Sequence, residues 1–200
     1  MLPEELILLQ EQFYEDDIIF LTTKAAHIAE HFSIDFSIML QNDEGSTSQD
    51  WNIAISGYQK CHFTFEPAYE LKLAYEHPLL WEFTNAQAEL YYSGKVTDAS
   101  ALLYDLYCVH RSLFNSNVPF PFAEKTDKLF LFSSGLFTTG PKQLLEHYGA
   151  ILQKHGLDYS IRIDPASVGN PSLFGSNELS VLLLGDSFIV GEQFKFKRLD

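Results

Sequence analysis

Three groups of side chains in this sequence have types and spacing that could do chemistry. His27-Ile28-Ala29-Glu30-His31 spells His-x-x-Glu-His, and on a helix that spacing sets two imidazoles one turn apart, where they could share a zinc ion. The apolar run Val181 to Leu184 leads into Gly185-Asp186-Ser187, which would put a serine hydroxyl at the end of a strand as a nucleophile. Cys61-His62 and the pair Cys108 and His110 could together supply four metal ligands. Each group needs a companion. Zinc needs a third protein ligand and a serine needs a base. Cys61 and His62, as neighbours on a strand, point to opposite faces and do not converge on one ion.

The block Val181-Leu182-Leu183-Leu184-Gly185-Asp186-Ser187-Phe188 resembles the nucleophile block of GDS(L)-type hydrolases. That resemblance implies a block near the N-terminus, with an oxyanion-hole glycine and asparagine and a catalytic Asp-x-x-His downstream. In a chain of 200 residues only thirteen follow Ser187, and none is histidine. A hairpin turn at Gly185-Asp186 is the reading these residues support. His-x-x-Glu-His is similar to the motif of inverzincin peptidases, which implies a glutamate ligand on a later helix. The helix expected over 99–114 offers Asp105 and no glutamate. A short amphipathic helix with exposed His27 and His31 is expected instead. His31, and His155 farther on, would each sit beside the last carbonyls of a helix. The chain has no Walker loop and no Gly-x-Gly-x-x-Gly, so nucleotide binding has no motif behind it. Tyr91-Tyr92 and Tyr104 with Tyr107 could line an apolar pocket. No catalytic residue, metal ligand or cofactor is assigned.

The elements that would position such groups follow from periodicity and punctuation. Leu6, Leu9 and Phe13 behind Pro3 predict an opening helix. Ile18 to Leu21 reads as a strand, Thr22-Thr23 as a cap for a helix over 25–32, and Asp35 to Leu40 as a second strand. Gln41 to Asp50 is polar and reads as a loop. Trp51 to Ser56 and Lys60 to Glu66 alternate around Gly57 like a hairpin. Leu90-Tyr91-Tyr92 predicts a strand before Gly94. Leu102, Leu103, Leu106, His110, Leu113 and Phe114 predict a helix over 99–114 capped by Thr97 or Asp98. Asn115 to Phe122, with its two prolines, is a connector. Leu129 to Phe132 reads as a strand, Thr138-Thr139-Gly140-Pro141 as a helix start, Gln143 to Lys154 as a helix closed by Gly156, and Asp158 to Ile163 as a strand. Leu179 to Leu184 and Phe188 to Phe196 form a hairpin.

The two ends share this order, with Thr-Thr before a helix and similar runs at His31 to Ile38 and His155 to Ile161. Residues 17–66 and 129–197 therefore read as two degenerate βαβββ repeats around a connecting segment, 67–128. Paired βαβββ units resemble, in element order alone, the vicinal-oxygen-chelate fold of glyoxalases and bleomycin-binding proteins. That implies a small-molecule or metal site between the repeats. Phe36, Ile38 and Leu40, and likewise Tyr159, Ile161 and Ile163, would face packed helices. The expected class is α+β, a single domain over 1–200 with a mixed, mainly antiparallel sheet and packed helices.

Hydrophobic residues make up 46% of the chain and charged ones 20%, a globular composition with no apolar run long enough for a membrane span. Two cysteines suit free thiols in a reducing compartment, so a cytoplasmic location is expected. The net charge of −14 is uneven. Residues 1–50 carry eleven acidic groups against Lys24 alone, which is −10 of that total. Such a field repels phosphate backbones and anionic lipid, excluding nucleic acid and membrane as partners. It favours a basic protein or a cationic small molecule. The acidic face expected to engage it comprises Glu11, Glu15, Asp16, Asp17, Asp43 and Glu44. The function expected is a non-catalytic intracellular binder, in the manner of inhibitors and immunity proteins that neutralise basic enzymes.

Overall fold

The computed structural model describes residues 1–13, 17–28, 31–42, 45–115, 117–122, 133–165 and 179–199. In chain order the elements are α1 (Glu4–Gln12), β1 (Ile18–Ile28), β2 (His31–Asn42), β3 (Gly45–Ser56), β4 (Lys60–His62), β5 (Leu71–Ala74), a 3-10 turn (Pro78–Leu80) and α2 (Trp81–Thr84). There follow β6 (Gln87–Ser93), α3 (Ala99–Phe114), β7 (Ser134–Pro141), α4 (Lys142–Lys154), β8 (Asp158–Ile163), β9 (Ser180–Leu184), β10 (Ser187–Gly191) and β11 (Gln193–Leu199). The expected α+β class with mainly antiparallel sheets is found. These elements form two compact units, one of residues 1–77 with 177–200, the other of residues 78–176.

The first unit is built on two four-stranded antiparallel sheets, ordered β1-β2-β3-β11 and β4-β10-β9-β5. In β2 the buried residues are Phe32, Ile34, Phe36, Ile38 and Leu40, while Ser37 and Met39 share the other face, as period-two alternation requires. Trp51, Ile53 and Ile55 continue that face on β3. One apolar cluster joins these side chains to Leu182, Leu184 and Ile189 of the other sheet and to Leu6 of α1. At roughly 1.5–3 kcal/mol for each large side chain removed from water, this face holds the register of the long strands. The face packs on a sheet and α1, not on the helices expected opposite it.

The second unit carries the three-stranded antiparallel sheet β7-β6-β8, with α4 against all three strands and α3 against α4. Ala88, Leu90 and Tyr92 alternate inward on β6 and meet Leu102, Leu106, Leu145, Tyr148 and Leu152 of the helices. Asp98 caps α3, its carboxylate accepting from the Ala101 N–H at 2.9 Å. Tyr159 packs toward Gly149 of α4, where an added Cβ would lie 2.5 Å from the ring.

Several expectations are corrected. Residues 22–28 and 31–33 belong to a long antiparallel hairpin, His27 opposite Phe32 and Ile28 opposite His31, so there is no helix with Thr22-Thr23 as its cap. Alanine-rich helix propensity yields there to a ladder that continues into β3. The polar stretch after Gln41 is strand from Gly45 onward. Ser56 and Lys60 do not flank a hairpin, for β3 pairs with β2 and β11 while β4 pairs with β10. Thr138 and Thr139 lie in β7 opposite Leu90 and Glu89, and the helix begins only at Lys142. Leu129 to Phe132 lies outside the described residues.

The two βαβββ repeats are therefore not found among the described residues. The described part of 17–66 contains no helix, and its β2 and β8 of the second segment belong to different sheets. The site expected between the repeats goes with them. The opening helix, α3, α4 and the strands β6 and β8 are found where periodicity placed them.

Candidate functional site

A groove of about 630 Å3 opens beside α1 in the first unit. It is lined by Leu2, Ile7, Gln10, Glu11 and Phe13 from α1 and its flanks, Ile18 at the start of β1, Tyr69, Glu70 and Leu71 on the approach to β5, and Gly185. Its volume is that of a site for a drug-sized ligand or an inserted side chain. Its chemistry is asymmetric. Of the ten lining residues among those described, five are apolar (Leu2, Ile7, Phe13, Ile18, Leu71), two are carboxylates and none is lysine, arginine or histidine.

The groove is framed by the way α1 is fastened to the rest of the unit. Leu6 is completely buried, and Leu2, Leu9 and Phe13 pack beside it. Gln10 reaches across, its Oε1 accepting the Leu71 N–H at 2.8 Å, so an amide ties the helix to the strand approach. A backbone pair between Phe20 and Ala68, at 2.7 and 2.9 Å, fixes the segment bearing Tyr69 and Glu70 beside β1. Gly185 closes the far side. Its φ of +57° and the 3.0 Å from an added Cβ to the Ala68 Cβ both disfavour a side chain there.

Glu11 is exposed, and neither it nor Glu70 has an ion-pair partner among the described residues. Glu5, on the same helix, is paired with Arg198. Tyr69 is 52% exposed, an aromatic face beside the two carboxylates. Apolar walls, two unpaired carboxylates and a ring together suit a cationic group on an aliphatic or aromatic stem.

Of the six residues of the expected acidic face, Glu11 lies in this groove and Asp17 is the half-buried residue before Ile18, its carbonyl taking the Gln41 N–H at 2.8 Å. Glu15, Asp16, Asp43 and Glu44 lie outside the described residues. Tyr69 and Glu70 were not legible as site residues, because Pro67 to Glu70 has no periodicity. The only signal is an aromatic-acid pair after a proline.

The other candidates resolve into structure. Gly185-Asp186 is the β9–β10 turn, with the positive φ that a type II′ hairpin places at its first central residue. Ser187 is buried, and its Oγ accepts the Thr64 N–H at 3.1 Å. His27 and His31 lie on paired strands and not one turn apart. His155 does cap α4, but its ring binds Asp105 at 2.8 Å, and that carboxyl is held below the ordinary range by Lys154 and His155. Cys61 and Cys108 are free thiols. Cys61 lies 3.2 Å from the Tyr58 hydroxyl, which burial and that contact push up to about 12. Among the described residues no three His, Cys, Asp or Glu side chains gather for a metal. Of the tyrosines expected to line a pocket, Tyr92 is core and Tyr104 and Tyr107 are exposed on α3.

His110 is the one buried imidazole, at 2% exposure. Its Nδ1 lies 2.8 Å from the Tyr148 hydroxyl and its Nε2 3.0 Å from the Val118 carbonyl. A carbonyl only accepts, so the proton is on Nε2 and the tyrosine donates to Nδ1. This pair ties the connector after α3 to α4, and burial holds the histidine below its ordinary pKa and the tyrosine above its own. No family model, curated protein or solved structure matches the chain.

Proposed function

We propose that this is a non-catalytic binding protein of the cytoplasm whose groove beside α1 receives a lysine or arginine side chain from a basic protein partner, as an inhibitor or immunity protein would. The observation that carries this reading is the groove's lining, where Glu11, Glu70 and Tyr69 join five apolar side chains and no cationic residue is found among the described lining residues. The excess negative charge of residues 1–50 adds a long-range field that speeds encounter with a cationic surface. A free cationic small molecule is the competing occupant.

Titration with basic amphipathic peptides of alternating leucine and lysine, against matched leucine-glutamine peptides, tests it. Saturable 1:1 binding is expected for the lysine series, weakening with salt and falling about tenfold or more in Glu11→Gln/Glu70→Gln. Equal binding by both series, or no effect of the double substitution, would overturn the proposal. Binding of lysinamide alone, as tight as that of the peptides, would point to the small molecule.

A further inference from the structure

β8 is an outer strand of its three-stranded sheet. The Asp164 N–H reaches the Gln87 carbonyl at 2.9 Å, and the ladder continues with Arg162 opposite Glu89 and Ser160 opposite Tyr91. In an antiparallel ladder alternate residues make both backbone bonds to one neighbour. Ser160 and Arg162 therefore direct their N–H and C=O toward β6, and Tyr159 and Ile161 direct theirs to the other edge. Among the described residues no strand pairs there. Tyr159 and Ile163 leave 37% and 40% of their surface exposed on this strand, the kind of apolar edge that invites another strand.

We propose that β8 pairs with β8 of a second copy of this chain, antiparallel about a two-fold axis at Ser160. In that register Tyr159 and Ile161 of one copy exchange backbone bonds with Ile161 and Tyr159 of the other. Asp158 then faces Arg162 across the axis, twice, at the closer non-hydrogen-bonded positions. Both are exposed, Asp158 has no ion-pair partner among the described residues, and Arg162 rests 4.8 Å over the Tyr91 ring. Other registers lose this match. Sliding by one pleat sets Asp158 against Asp164, or leaves Asp158 opposite Ser160. The surface is self-complementary, as a two-fold interface must be. It does not depend on the groove, which belongs to the other unit.

Sedimentation velocity of the full chain across the micromolar range should show a reversible monomer–dimer equilibrium. Asp158→Arg sets arginine against Arg162 and should raise the dissociation constant roughly tenfold or more. Asp158→Arg/Arg162→Asp restores opposite charges and should bring it back to within a few-fold of the native value. In a Cys108→Ser background, Ser160→Cys should cross-link into a covalent dimer on mild oxidation, because that pair sits at disulfide distance. A native chain that stays monomeric, a dimer indifferent to Asp158→Arg, or failure of Ser160→Cys to cross-link would overturn the proposal.

Discussion

Glu11 and Glu70 can remain without an ion-pair partner beside apolar side chains because both reach water. Single carboxylates of this kind cost the fold little and are available to a ligand. His110 is the opposite case, a polar group stable only while every partner is in place. Tyr148→Phe removes the donor to Nδ1 and should cost about 1–3 kcal/mol in urea unfolding, the penalty of an unsatisfied buried acceptor. The sign with pH follows from burial, which lowers the folded pKa below the ordinary value near 6.5. The unfolded chain then binds the extra proton first. Stability is full above that value and is lost as pH falls from it toward the folded pKa. His77 is lowered likewise, by burial and by Lys72, so His110→Gln should flatten only part of the slope in pH-dependent unfolding. At Gly185, alanine meets both a positive φ and Ala68, and Gly185→Ala should destabilise by about 1–2 kcal/mol in thermal or urea melts.

Among the elements, those legible from the sequence are the ones whose signals are local. α3 has a stripe of four inward residues and a capping aspartate, and it was found at its expected bounds. Asp98→Ala should therefore lower unfolding stability by about 1 kcal/mol without changing binding at the groove. α4, β6 and β8 were legible for the same reason. The β1–β2 hairpin was not. Ala25, Ala26 and the histidine spacing favour a helix, and only pairing along β2 with β3, a contact invisible in one window, makes that stretch a strand. The same non-local pairing separates β3 from β4 and sends β11 back to β3, so a hairpin read from alternation around Gly57 failed although each strand was real. Of the three residues that carry the candidate site's chemistry, one was legible: Glu11 through the charge asymmetry of its segment, but not Tyr69 or Glu70, whose position depends on the Phe20 and Ala68 backbone pair.

Over the whole molecule, the charge of −14 sets the range of the attraction and the groove sets its address. Screening separates the two. Raising ionic strength from low salt to physiological should slow association with a basic probe several-fold while changing dissociation much less, in stopped-flow fluorescence. No helix among the described residues is long and apolar enough to cross a membrane. The most direct measurement of the central claim is methyl NMR of the protein titrated with a leucine-lysine peptide, following the methyl groups of Leu2, Ile7, Ile18 and Leu71. Saturable shifts concentrated on those four, and abolished in Glu11→Gln/Glu70→Gln, are the predicted result. Shifts spread over the acidic surface with those methyls unmoved, or unchanged by the double substitution, would contradict the account.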